Sequence, residues 1–181
     1  MTARAIFLDR DGTLNVDTGY ADDPGAICLL PGVRGAIATF RRLGYRLFLH
    51  TNQSGVGRGY FTLETVAACN ARLREQLGFG DDVFTATCVA PELPGAPGGY
   101  RKPSPRFLLE QIALHQLEPA QCWMVGDRRS DWETGLNAGV RAVAVQTGKP
   151  ISDEDFAFLK ANPCLLMDDL AAFAAHLEST H

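Results

Sequence analysis

Two aspartates two residues apart, Asp9 and Asp11, end an apolar run and open the turn Asp9-Arg10-Asp11-Gly12-Thr13. In a chain that is still extended, residues i and i+2 point the same way, so the two carboxylates stand side by side. With a cation beside them, that crowding supports phosphoryl transfer with divided labour. Asp9 attacks phosphorus, while Asp11 protonates the leaving oxygen and later activates water. Gly12 lets the backbone turn closely around the bound group. An ordinary turn after a strand also favours Asp and Gly. A calcium loop does not fit, because its sixth and twelfth positions want glycine and glutamate, where this chain has Leu14 and Tyr20.

A phosphomonoester is dianionic and repels a carboxylate, so such a site needs donors and positive charge from elsewhere in the chain. The hydroxyl of Thr51, next to Asn52 in the polar stretch Thr51-Asn52-Gln53-Ser54-Gly55, is a donor to phosphoryl oxygens, and Lys102 brings an ammonium. Asp127, after Met124-Val125-Gly126, suits Mg²⁺, a hard cation that takes one or two carboxylates, phosphate and water. Asp9 is then the second carboxylate ligand and the backbone carbonyl of Asp11 the third protein ligand. Asp131 either holds a metal-bound water or simply favours a helix N-terminus. Arg58, Arg101 and Arg128 adjoin these motifs and are either surface arginines or a forked grip on a second anionic group, with Asn52 beside them on the substrate side. His50 reads as a core residue, and Phe40, Phe107 and Trp132 as packing.

Positioning these residues requires an alternation of strands and helices. Short apolar runs predict strands at 5–8, 45–50, 83–88, 122–125 and 141–145, with 164–167 as an edge strand. Helical periods fall between them: 31–43, from Thr62 to Gly78, from Ser104-Pro105 onward, from a Ser130-to-Glu133 capping box toward Gly139, a short one after Ser152, and 169–178. This is the pattern of a single α/β domain over 1–181 with a doubly wound parallel sheet. In such a sheet ligands bind beyond the carboxyl ends of the strands, which is where Asp9, Asp11, Thr51, Asn52, Asp127 and Asp131 fall, with Lys102 after the third strand and its loop. That loop, 91–99, holds three prolines and three glycines and is the long irregular segment between core elements.

Composition narrows the partners. A net charge of −4 without a long basic run argues against nucleic acid. The N-terminal apolar run is too short for a signal peptide or a membrane span, so a cytoplasmic location is expected. Five scattered cysteines with no Cys-x-x-Cys pair read as reduced thiols. The oligomeric state stays open, with a monomer slightly favoured.

The four motifs, in order, resemble the haloacid dehalogenase (HAD) superfamily: Asp9-Arg10-Asp11-Gly12-Thr13, Thr51, Lys102, and Gly126-Asp127 with Asp131. Thr51-Asn52-Gln53-Ser54-Gly55, Arg101-Lys102-Pro103 and Thr147-Gly148-Lys149-Pro150 narrow the resemblance to the D-glycero-D-manno-heptose 1,7-bisphosphate phosphatases. Histidinol-phosphate phosphatases share much of this wording. The resemblance implies a Rossmann-like core and an Mg²⁺-dependent phosphatase acting on a small phosphomonoester through an aspartyl phosphate. It assigns Asp9 as nucleophile, Asp11 as acid and base, Asp127 as metal ligand, and Arg101 and Lys102 to substrate and phosphate. A non-catalytic phosphate-binding module is the alternative of another class. Neither gap between motifs has room for a cap domain, so an open site is expected. Relatives usually bind zinc in the loop before the third motif through Cys-x-His and Cys-x-Cys pairs. Here Cys88 stands alone, and no structural zinc is expected.

Overall fold

Ala5, Ile6, Phe7 and Leu8 are all buried, as a strand covered on both faces requires. In the computed structural model, which describes residues 3–180, they belong to β1 (Ala3–Leu8). It joins β2 (Arg46–Asn52), β3 (Ala86–Ala90), β4 (Leu117–Gly126), β5 (Arg141–Val145) and β6 (Cys164–Met167) in one parallel sheet of order β3-β2-β1-β4-β5-β6. The helices are α1 (Val33–Arg42), α2 (Ser54–Gly57), α3 (Leu63–Leu77), α4 (Arg106–His115), α5 (Arg129–Asn137), α6 (Asp153–Ala161) and α7 (Leu170–Ser179). The expected doubly wound α/β fold is therefore present, and among the described residues no cap module interrupts it.

Alternation along the strands divides the core into two layers. Ile6 and Leu8 face α1, α3 and α7, packing with Ile37, Phe40, Leu73 and Phe173. Ala5 and Phe7 face the other way, toward Phe107 and Leu108 of α4. There Phe7 stacks on Phe48 with centroids 4.7 Å apart, and Phe107 meets Phe7 edge-on. Farther along that face Trp132 of α5 packs against Ala142, Ala144 and Leu159. The aromatic residues read as packing are thus core.

Local signals explain most element ends. The Thr62 hydroxyl accepts the Thr65 amide at 3.3 Å at the start of α3, and Gly78, at φ 74°, closes it. Ser152 and Asp169 cap α6 and α7. Two readings need correction. Val83 and Phe84 are buried, but Val83 ends a 3₁₀ turn (Asp81–Val83), and β3 begins only at Ala86; Gly80, at φ 88°, with two aspartates after it, favours the turn over an extended run. Helix α5 is not capped by a Ser130–Glu133 box: Arg128 is its N-cap residue, and Asp131 Oδ2 accepts the Arg128 amide at 3.0 Å. Glu133 pairs with Arg129 instead.

The neighbouring strands β1 and β4 send their chains to opposite faces, toward α1 and α5. A crevice opens beyond their carboxyl ends, at the switch point where such sheets bind ligands. Asp9 follows β1 and Asp127 follows β4, joined by the Asp9 amide donating to the Val125 carbonyl at 2.9 Å. No helix among the described residues is long and apolar enough to cross a membrane.

Candidate active site

Lys102 forms the centre of the crevice floor. Its ammonium lies 2.7 Å from Asp9 Oδ1 and 2.5 Å from Asp131 Oδ1, and all three side chains are almost fully buried. Burial works against the charged lysine, but Asp131 and Asp9 outweigh it and raise its pKa. Asp9 moves further from its ordinary value, up to about 8; burial is the main cause, Lys102 opposes it, and Asp131 and Asp127 add repulsion. Asp127 rises to about 6, again chiefly through burial and then the charge of Asp131. The ammonium pairs with two of the three buried carboxylates, and Arg128 Nε stands 3.9 Å from Oδ2 of the third, Asp127.

Those carboxylates fit a divalent cation. Asp9, Asp127 and Asp131 each offer an oxygen, all within 4.8 Å of one another. Oδ2 of Asp127 accepts the Lys149 amide at 3.1 Å, whereas Oδ1 is buried with no hydrogen-bond partner, as expected of an atom reserved for a metal. Gly12 and Gly148 press their backbones against this carboxylate; a Cβ on Gly12 would meet Asp127 Oδ2 at 2.6 Å. Gly12, at φ 81°, also suits the turn for which glycine was expected.

The Asp11 side chain lies outside that cluster and is held by three residues. Arg10, wholly buried, donates Nε to both Asp11 oxygens at 3.2 Å and Nη2 to Oδ2 at 2.9 Å, while its Nη1 reaches Asn70 of α3 at 3.0 Å. Asn15 donates to Asp11 Oδ1 at 3.0 Å and Gln53 to Oδ2 at 2.9 Å. Gln53 also donates to the buried Thr51 hydroxyl at 2.8 Å, tying the ends of β1 and β2 together.

Asn52 clamps the backbone of Lys102 at both polar groups: its Oδ1 accepts the Lys102 amide at 3.0 Å, and its Nδ2 donates to the Lys102 carbonyl at 3.2 Å. Beside it, His50 Nε2 donates to the Tyr100 carbonyl at 2.8 Å. Burial, and next the charge of Lys102, push His50 down to about 3, so the ring is neutral. It is a core residue that helps hold the segment carrying Lys102.

The cleft above this floor has a volume of about 310 Å³. Asp9, Asp11, Asn52, Arg101, Lys102, Arg128 and Asp131 line it, together with Asp17, Tyr20, Gln53, Ser54 and Lys149, to which the sequence alone assigns no individual role. Asp17 binds Arg128 at 2.8 Å and steers that half-exposed guanidinium. Thr51 sits behind the lining, under Gln53. Arg58, at the end of α2, is exposed and does not line the cleft, although its charge helps lower the pKa of Arg101 after burial, with Arg128 acting alike.

The chain matches the HAD-hydrolase-like family over residues 99–173. It is 37% identical to the D-glycero-beta-D-manno-heptose-1,7-bisphosphate 7-phosphatase of Haemophilus influenzae over 83% of this chain and 86% of that one. Against the Mesorhizobium japonicum protein of the same name, identity is 38% over 93% of this chain and 81% of the relative. Among solved structures, the B. bronchiseptica D,D-heptose 1,7-bisphosphate phosphatase, complexed with magnesium and phosphate, superposes with a TM-score of 0.85 at 29% identity, covering 99% of this chain and 100% of that one. A putative HAD-like phosphatase from Mesorhizobium loti gives 0.78 at 33% identity, covering 98% and 87%. With these relatives aligned over most of its length and the acidic cluster at its switch point, the chain belongs to the haloacid dehalogenase-like phosphatases.

Proposed function

We propose that this chain, acting as a single domain, is an Mg²⁺-dependent phosphomonoesterase for a small sugar bisphosphate, with D-glycero-D-manno-heptose 1,7-bisphosphate the first candidate. The observation that carries the reading is Asp9 itself: a buried carboxylate at the switch point, 2.7 Å from the Lys102 ammonium and within ligand distance of Asp127. Asp9 and Asp127 would hold the cation with the Asp11 carbonyl, and Asp131 stands close enough to join or to anchor a bound water. Bound there, Mg²⁺ supplies Lewis-acid charge to the phosphoryl oxygens and offsets the crowding of carboxylates.

In this reading an Asp9 oxygen attacks phosphorus, and Asp11 gives its proton to the leaving oxygen, yielding the alcohol and an aspartyl phosphate. Lys102 faces the charge that builds on the equatorial oxygens. Asp11 then takes a proton from water, which attacks phosphorus, releasing phosphate and regenerating Asp9. Arg10, Asn15 and Gln53 donate to the Asp11 oxygens and fix the place of that side chain, and one of these bonds must yield when Asp11 carries the proton it gives. Thr51 acts through Gln53 in the present arrangement and is one hydrogen bond removed from the cleft.

Arg101, Arg128 and Lys149 favour a second anionic group on the substrate, because they add positive charge to the cleft lining beyond that of Lys102. The names of the relatives point to the same class of ester. A substrate panel tests the proposal: heptose 1,7-bisphosphate, histidinol phosphate, other sugar phosphates and nucleotides, each with Mg²⁺ or EDTA and with Asp9→Asn as control. Turnover of the bisphosphate above the rest, lost with EDTA and with Asp9→Asn, is expected. Turnover by Asp9→Asn at the parent rate contradicts the mechanism, and preference for histidinol phosphate contradicts the substrate.

A further inference from the structure

Between β3 and Tyr100 the chain runs through the Pro/Gly segment 91–99, which forms no helix or strand. One residue fastens both ends of this segment. Glu92 Oε1 accepts the Tyr100 amide at 2.9 Å, and the Glu92 carbonyl accepts Arg101 Nη1 at 3.2 Å. Gly99 lies flat against the same side chain: a Cβ there would meet Glu92 Cδ at 2.7 Å and Cγ at 2.9 Å. A side chain at 99 would push the Glu92 carboxylate aside.

The next residues are held by other means. His50 takes the Tyr100 carbonyl, and Asn52 takes both backbone groups of Lys102. Lys102 is pinned to β2 independently of the loop, whereas the Arg101 guanidinium is tied to Glu92. A metal clasp does not fit these residues. Cys88 is buried in β3 with its thiol pushed up to about 12, first by burial and then by Glu92, and the acidic group at Asp9 is the one cluster of three or more ligating side chains among the described residues.

We propose that Glu92 is a positioning residue: it closes the 91–99 loop with a carboxylate clasp and holds Arg101 at the cleft to receive the second anionic group of the substrate. The substrate half of this inference rests on the bisphosphate reading above, and the clasp half does not. Two variants and two readouts separate them. Glu92→Ala removes the acceptor, and Glu92→Gln keeps an oxygen for the Tyr100 amide.

In Glu92→Ala, amide exchange at Tyr100 should quicken about tenfold or more, as a lost local hydrogen bond permits, while β1 and β4 stay protected. Its KM for the sugar bisphosphate should rise about tenfold with kcat within about twofold, the mark of lost ground-state binding. Glu92→Gln should restore both. On an Arg101→Ala background, Glu92→Ala should add less than about twofold to KM, because the carboxylate reaches the substrate only by fixing the loop whose Glu92 carbonyl holds Arg101. Unchanged exchange at Tyr100 in Glu92→Ala overturns the clasp. Faster exchange with an unchanged KM, or an equal KM penalty with and without Arg101, overturns the positioning role. If the parent protein turned over no phosphomonoester, the functional reading would fail while exchange at Tyr100 still decided the clasp.

Discussion

The ammonium of Lys102 lies 2.7 Å from Oδ1 of Asp9, buried with it at the floor of the cleft. That contact sets a cation against the carboxylate proposed as nucleophile, and under that proposal the same ammonium would face the phosphoryl group. Replacing Lys102 by Met should therefore damage two properties at once. Buried carboxylates lose their cation, which should destabilise the metal-free protein by about 3 kcal/mol or more. Losing the charge that faces the transition state should lower kcat by about 10²- to 10³-fold. Thermal melts in EDTA and steady-state kinetics in Mg²⁺ measure the two effects, and added Mg²⁺ should recover part of the first and none of the second.

Stability should depend on pH differently with and without metal. Asp9 and Asp127 are raised from 3.8 to about 8 and about 6, burial being the first cause of each. The folded metal-free chain thus binds more protons than the unfolded one above pH 4, and this contribution to stability is lost as pH rises toward 8. Mg²⁺ needs the ionised carboxylates, so its binding releases protons. The gap in Tm between Mg²⁺ and EDTA should widen steadily from pH 5 to pH 8. His50, lowered from 6.5 to about 3, acts with the opposite sign, adding stability as pH rises through that window. It does so in both conditions and cancels in the difference. A gap independent of pH would contradict the assignment.

Gly148→Ala tests the metal site without removing a ligand. A methyl group there collides with the Asp127 carboxylate and forces it to shift. Mg²⁺ affinity should fall about 10- to 100-fold, the usual effect of disturbing what orients a ligand. Calorimetric titration of Mg²⁺ into the variant checks it, with Asp127→Asn as the reference for a lost ligand.

Asn70 in α3 never meets the cleft, yet it accepts the buried Arg10 Nη1 at 3.0 Å, and Arg10 holds Asp11. Asn70→Ala should strand a buried donor, costing about 1–3 kcal/mol of stability. It should also slow the water-dependent step, so that phosphoenzyme builds up. A pre-steady-state burst larger than in the parent is the expected sign.

Half of the site was legible because strand ends are legible. An apolar run that stops at a carboxylate marks the mouth of a parallel sheet, which is how Asp9 and Asp127 stand out. The i, i+2 period read at Asp9 and Asp11 leaves the Asp11 side chain outside the Asp9 cluster, but at Thr51 it does bring Gln53 alongside, and Gln53 touches both Thr51 and Asp11. Instead Asn52 attracted the substrate reading, although its hydrogen bonds go to the Lys102 backbone. Arg10 with Asn70 and Arg128 with Asp17 join distant stretches of chain through loop geometry, which no local pattern encodes. The 83–88 run misled for a related reason: Val83 and Phe84 are buried from a turn, and burial alone does not distinguish a turn from a strand.

The central claim is a covalent bond between phosphorus and Asp9, and borohydride trapping tests it most directly. Reduction of an acyl phosphate converts aspartate to homoserine, so the protein is quenched with borohydride during turnover of the sugar bisphosphate with Mg²⁺, and its peptides are weighed by mass spectrometry. Homoserine at position 9, absent without substrate, without Mg²⁺ and in Asp9→Asn, is the predicted result. Turnover with no modification at Asp9, or with homoserine at another aspartate, would contradict the account.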